Sequence, residues 1–144
     1  METLIEMMKK VLADTFALYL KAHNYHWNVE GSNFPQYHEF FGNLYEELHD
    51  AVDPIAEHIR ALDAYAPGSF TRFMELTEIE DEVTVPAGVE MARRLMTDNE
   101  RVLATLDVAQ KLADTVGKSG LANFLQERID IHSKHQWMLR SITK

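Results

Sequence analysis

Residues 34–59 read FPQYHEFFGNLYEELHDAVDPIAEHI. His38, Phe41, Tyr45, Leu48, Val52, Ile55 and Ile59 recur there at three- and four-residue steps. That is the period of one helix face and not the alternation of a strand. Ser32 or Asn33 stands where an N-cap is needed, and Pro35 falls in the first turn, where a missing N–H costs little. The spacing predicts a helix over about 34–63.

The same period extends outward on both sides. Upstream, Leu4, Met8, Val11, Leu12, Phe16, Tyr19, His23 and His26 mark a helix over about 3–29, closed by Gly31. Downstream, Ala66-Pro67-Gly68 breaks the pattern. Residues 64–84 form a connection in which Ser69 to Leu76 suits one short helix and Glu78 to Glu82 a solvated acidic stretch. Thr84 and Pro86 open a third long helix, about 86–116, with Val89, Ala92, Leu95, Met96, Val102, Leu103, Leu106, Ala109 and Ala113 facing inward and Gly117 at its end. A fourth, about 121–142, carries Leu121, Phe124, Leu125, His132, His135, Met138 and Leu139 on one side. A long connection between the second and third long helices lets neighbouring helices run parallel in a four-helix bundle. The chain of 144 residues is expected to be all-α and a single domain, 1–144.

Composition excludes several classes. Without cysteine there is neither a disulfide framework nor a thiolate metal site. No apolar run approaches the roughly 18 residues of a membrane span, and Glu2, Glu6, Lys9, Lys10 and Asp14 interrupt any secretory signal. A soluble cytoplasmic protein is expected, with no membrane partner. Twenty-three acidic against 14 basic residues leave a net charge of −9, which suits solubility or the attraction of cations rather than nucleic acid. The seven methionines read as core filler.

The candidate chemistry lies on the second helix. His38, His49, Asp53 and Glu57 fall within an arc of roughly 100° at the helical repeat. Iron accepts such mixed nitrogen and oxygen ligands, and Asp53 and Glu57, one turn apart, can close on one ion. A solvated acidic face with histidines at its edge has the same pattern.

His26-Trp27-Asn28-Val29-Glu30-Gly31, followed by Phe34 and His38, resembles the motif of the Dps mini-ferritins, a branch of the ferritin-like proteins. Asp53-Pro54-Ile55-Ala56-Glu57-His58, Arg128-Ile129-Asp130, Lys134 and Trp137-Met138-Leu139-Arg140 extend the likeness over essentially the whole chain. The resemblance implies a ferritin-like four-helix bundle with a long crossover carrying a short extra helix. It implies a homo-oligomeric shell, a dodecamer, with a ferroxidase site between subunits. His26 and His38 of one copy would face Asp53 and Glu57 of its two-fold partner, with Trp27 beside the iron. Ferrous iron would be oxidised by hydrogen peroxide or dioxygen at a di-iron or mononuclear site and stored as ferric mineral. Zinc is a substitute metal by ligand type. DNA binding is not expected, because a shell of −9 subunits repels phosphate. The competing reading is a non-catalytic structural or DNA-protecting shell.

Three positions depart from the family pattern. Gly42 replaces an acidic ligand four residues after His38, so His49 is a candidate substitute and Gly42→Asp is expected to restore activity. Pro54 follows Asp53 inside the helix, which should bend it and release the Asp50 carbonyl. Lys118 and Asn123 stand where acidic pore residues are common, and only Glu127 stays acidic. A di-iron site within one bundle would want two Glu-x-x-His motifs. Glu46 to His49 supplies one and the fourth helix none.

Overall fold

The computed structural model describes residues 1–144: α1 (Glu2–Asn28), α2 (Phe34–Ala61), α3 (Phe70–Leu76), α4 (Gly88–Thr115) and α5 (Ser119–Ile142), with no strand. The four long helices and the short one occupy the expected stretches. Gly31 at φ +115° and Gly117 at φ +77° make the two tight turns, a left-handed conformation that a side chain resists. Asn33 is the N-cap of α2, but its side chain makes no capping bond. The third long helix begins at Gly88, two residues later than Pro86 suggests. α2 continues through Pro54, which lies on its exposed face. No helix is long and apolar enough to cross a membrane.

α1 packs along α2, α4 along α5, and α1 against α4. Met8, Val11, Phe41, Leu48, Ile55, Ile59, Leu95, Val102 and Leu125 are completely buried between them. Each such side chain contributes about 1.5–3 kcal/mol of transfer free energy.

The inward stripe of α1 differs from the expected one. After Leu12 it continues through Thr15, Leu18, Ala22 and Tyr25, whereas Phe16, Tyr19, His23 and His26 are only half-buried on a neighbouring face. An aromatic residue beside the core imitates the helical period without lying in it. In α4, Val89, Met96 and Leu103 are likewise peripheral, while Asp98, Asn99 and Thr105 are buried.

Buried polar groups of α1 fasten the crossover. Asp14 accepts from the Thr77 hydroxyl at 2.7 Å and the Glu78 N–H at 3.0 Å. Lys21 donates to the Glu80 carbonyl at 2.9 Å, and the Tyr25 hydroxyl to Glu82 at 2.6 Å. Asp14, Lys21 and Tyr25 are seven and four residues apart and so share one face of α1. Lys21 also forms a buried ion pair with Asp98 of α4 at 2.8 Å.

A second polar cluster ties α2, α4 and α5 together. Arg128 forks onto Glu47, and His135 Nε2 donates to Glu47 Oε1 at 2.8 Å. Burial alone would raise the Glu47 carboxyl. The His135 and Arg128 hydrogen bonds, with the Arg128 charge, outweigh it and bring the group down to about 2. Burial, and next the Arg128 charge, hold His132 well below the ordinary imidazole range, so it is neutral. Glu47 is depressed in the folded chain, so its stabilisation is complete above its ordinary value of 4.5 and is lost as pH falls toward 2. Acid melts should show a loss of stability on the order of 2 kcal/mol across that interval, and Glu47→Gln should flatten this part of the curve. An acid profile unchanged in Glu47→Gln would remove the ion pair from the stability of the bundle.

Candidate metal centre

The turn at residues 29–33 lays the last turn of α1 against the first turns of α2. Val29 is buried there, and the Phe34 N–H reaches the Gly31 carbonyl at 3.1 Å. His26 and His38 then grip each other's backbone. His26 Nδ1 lies 2.7 Å from the His38 carbonyl, and His38 Nδ1 lies 2.7 Å from the His26 carbonyl. A carbonyl only accepts, so both Nδ1 atoms carry protons. Each neutral ring is therefore left with its lone pair on Nε2, the tautomer a metal requires. The His26 carbonyl lies in the last turn of α1, where helical partners run out, so the bond also satisfies a helix end. The two rings stack at 3.8 Å and 16°.

Gly42 makes this stack fit. A Cβ at that position would stand 3.1 Å from both Cε1 and Nδ1 of His26. His26 is held by the stack and the hydrogen bond, so it has little room to yield. The expectation that Gly42→Asp restores a ligand is therefore revised, because the added side chain first disturbs His26.

A ridge of rings continues away from the pair. His23 stacks on Tyr45 at 3.7 Å and 6°, and its ring centre is 4.0 Å from that of Trp27. The Tyr19 hydroxyl is 3.1 Å from His23 Nδ1, and the Tyr19 ring lies 4.9 Å from His49. Burial first, then the neighbouring His26 and His49, lower the His23 imidazole below its ordinary value. Trp27 is 59% exposed at the end of the ridge, next in the chain to His26.

Asp53 and Glu57 are exposed on α2, 15 and 19 residues beyond His38. At 1.5 Å per residue that is roughly 22 and 28 Å along the axis. One chain thus brings His26 to His38 but neither of them to the carboxylates, and no three His, Asp or Glu side chains gather as a metal site. His49 is exposed and roughly 16 Å along α2 from His38. It lies on the same row as Asp53 and Glu57 and cannot share an ion with His38 of its own chain. Glu46, three residues before it, also faces solvent. The Glu47 cluster and the Tyr19–His23–Tyr45 contacts are additional to the residues singled out from sequence. The spacing of Arg128, His132 and His135 on one helix was the available sign of the former.

A helical bundle with a long crossover and a preset imidazole pair at its first turn defines a ferritin-type scaffold. Residues 5–144 match the ferritin-like domain family. "DNA protection during starvation protein 2" of Bacillus anthracis is 31% identical over 95% of this chain and 94% of its own length. The crystal structure of antigen TpF1 from Treponema pallidum superposes with a TM-score of 0.96 at 30% identity, covering 99% of this chain and 92% of that one. A Dps protein from Vibrio cholerae O1, described as a member of a broad superfamily of ferritin-like diiron-carboxylate proteins, gives a TM-score of 0.95 at 25% identity, covering 99% and 90%. The chain belongs to the ferritin-like family, in its Dps branch.

The packing at Gly42 separates stability from ligation. Gly42→Ala gains up to about 1 kcal/mol of helix propensity and loses a similar amount to crowding of His26, so the net change in stability should stay within about 1 kcal/mol. Zinc or cobalt affinity at the imidazole pair should nevertheless fall about tenfold, the scale of a disturbed supporting contact. Thermal melts and metal titrations on the same variant check both. Unchanged affinity would show that His26 yields freely to the new Cβ.

Proposed function

We propose that the chain is an iron-storing mini-ferritin whose ferroxidase site forms between two copies. His26 and His38 come from one copy, and Asp53 and Glu57 from the other. The observation that carries this reading is the reciprocal His26–His38 bonding, which leaves two Nε2 lone pairs side by side. The carboxylates lie on the same helix but roughly 22–28 Å away. Two antiparallel α2 helices related by a two-fold axis near their middle would bring the imidazoles of each copy to the carboxylates of the other, making two equal sites. Exposed Trp27 and Phe34, at the α1–α2 turn, give such a contact apolar surface.

Ferrous iron is the substrate. The imidazoles bind it without adding charge, and two carboxylates offset its charge and favour the harder ferric product. Two ferrous ions each give one electron to hydrogen peroxide, which leaves as two hydroxide ions, and the ferric product is stored as mineral in a closed shell, a dodecamer. With Gly42 in place of a carboxylate, the His38 position holds its iron less firmly than the His26 position. His49, in the row of Asp53 and Glu57, is the residue nearest to those carboxylates that could add a ligand.

Complementation tests the shared site. His26→Ala/His38→Ala and Asp53→Ala/Glu57→Ala chains should each be inactive in ferrous oxidation with peroxide. Mixed assembly of the two should recover about a quarter of the wild-type rate, since half of the pairs are mixed and one of their two sites is intact. No recovery from properly mixed oligomers would place the site elsewhere. A wild-type rate no faster than iron in buffer would leave a non-catalytic shell.

Charge leads to a second expectation. At physiological salt near pH 7 the protein should not retard duplex DNA, because a net charge of −9 opposes phosphate. Salt-sensitive retardation at micromolar protein would contradict this.

A further inference from the structure

The ring ridge beside the imidazole pair holds a phenol with a proton acceptor already in place. The Tyr19 hydroxyl is 3.1 Å from His23 Nδ1, and that nitrogen accepts from the phenol when the ring carries its proton on Nε2. His23 cannot swing away freely. It lies flat on Tyr45 at 3.7 Å and 6°, and its ring centre is 4.0 Å from that of Trp27. Tyr19 is only half-buried, so water would serve its hydroxyl equally well. It is turned instead to an imidazole clamped between two other rings.

The same rings lead to the candidate site. The centre of Tyr45 lies 6.2 Å from that of Tyr19 and 5.1 Å from that of His26. His23 and His26 are 6.0 Å apart, centre to centre. Tyr19 and His26 are two turns apart on α1, roughly 10 Å along the axis. An electron leaving Tyr19 therefore crosses touching π-systems and not solvent.

A tyrosine near neutral pH carries its phenol proton, and losing an electron makes that proton strongly acidic. A base within hydrogen-bond reach takes the proton as the electron leaves, which makes the phenol easier to oxidise. Gly42 creates the demand for such an electron. Hydrogen peroxide needs two electrons to become two hydroxide ions. With no carboxylate at position 42 the His38 position is the weaker, so the site passes through a state with a single ferrous ion, which supplies one.

We propose, resting on the ferroxidase function above, that Tyr19 is a redox-active tyrosine that supplies the second electron, with His23 as its proton acceptor. The ferrous ion gives up one electron and becomes ferric. Tyr19 gives up the other, which passes through the stacked rings, while its hydroxyl proton crosses to His23 Nδ1. The O–O bond of peroxide breaks and two hydroxide ions leave. What remains is a Tyr19 phenoxyl radical hydrogen-bonded to a protonated His23. The next ferrous ion to reach the site returns the electron and is oxidised, and His23 returns the proton. A half-filled site thus reduces peroxide completely and releases no hydroxyl radical.

Rapid freezing of the full-length protein, mixed with one ferrous ion per site and hydrogen peroxide, tests this by electron paramagnetic resonance. Wild type should show a tyrosyl signal with the g-shift of a hydrogen-bonded phenoxyl. Tyr19→Phe should lose that signal and release hydroxyl radical to a spin trap. His23→Phe keeps a ring on Tyr45 but removes the acceptor, and its signal should fall severalfold. A ring-fluorinated tyrosine at position 19 keeps the phenol and the packing, so fluorine splitting should appear in the signal; this protein decides if Tyr19→Phe does not fold. Ferrous oxidation without a tyrosyl signal, a signal that survives Tyr19→Phe, or a signal without fluorine splitting would overturn the proposal and leave the ferroxidase function standing. No ferrous oxidation by wild type would remove that function, and this proposal with it.

Discussion

A carboxylate between packed helices loses several kcal/mol of hydration unless donors surround it. Glu47 meets that demand with Arg128 and His135 of α5, and Arg128 passes the constraint through His132 to Asn99 of α4. The axial positions of three helices are thereby set against one another, since a slide by one turn would strand the charge. Lys21 and Asp98 perform the same service between α1 and α4. Apolar side chains supply most of the attraction but tolerate sliding, whereas charges with directed partners do not. The bundle therefore has one register, and the α1–α2 turn presents His26 to His38 in one way.

Much of this was legible in the sequence where periodicity and turn chemistry carry the information. The long helices, the break at Ala66-Pro67-Gly68 and the short helix before Leu76 follow from local rules, and the structure adds the Ser69 cap, whose hydroxyl accepts from the Arg72 N–H at 3.2 Å. Legibility failed where two faces of a helix share the same residue types. Phe16, Tyr19 and His23 continue the α1 stripe by spacing, yet they form the half-buried ridge, and the core runs instead through Thr15, Leu18 and Ala22. Buried Asp14, Asp98 and Asn99 were unreadable for a different reason. The partners that bury them lie from 33 to 77 residues away, and local pattern does not encode such pairings.

The four candidate ligands divide similarly. His26 and His38 are close in sequence through a short turn, and the structure joins them. Asp53 and Glu57 share their helix face but not their end of the helix, and the separation follows from the rise per residue alone. One chain therefore places the imidazoles near the start of α2 and the carboxylates in its second half, and does not gather the four side chains itself.

Gly42 has an evolutionary corollary. Glycine inside a helix costs about 1 kcal/mol relative to alanine, so local propensity favours its replacement. Yet any side chain there arrives 3.1 Å from a ring held by a stack and a hydrogen bond. A side chain at this position asks His26 to shift by a few tenths of an ångström, and His26 is placed by the turn at residues 29–33. Position 42, the ring and the turn are therefore mechanically coupled, and a substitution at 42 is felt first at His26 and through it at the turn.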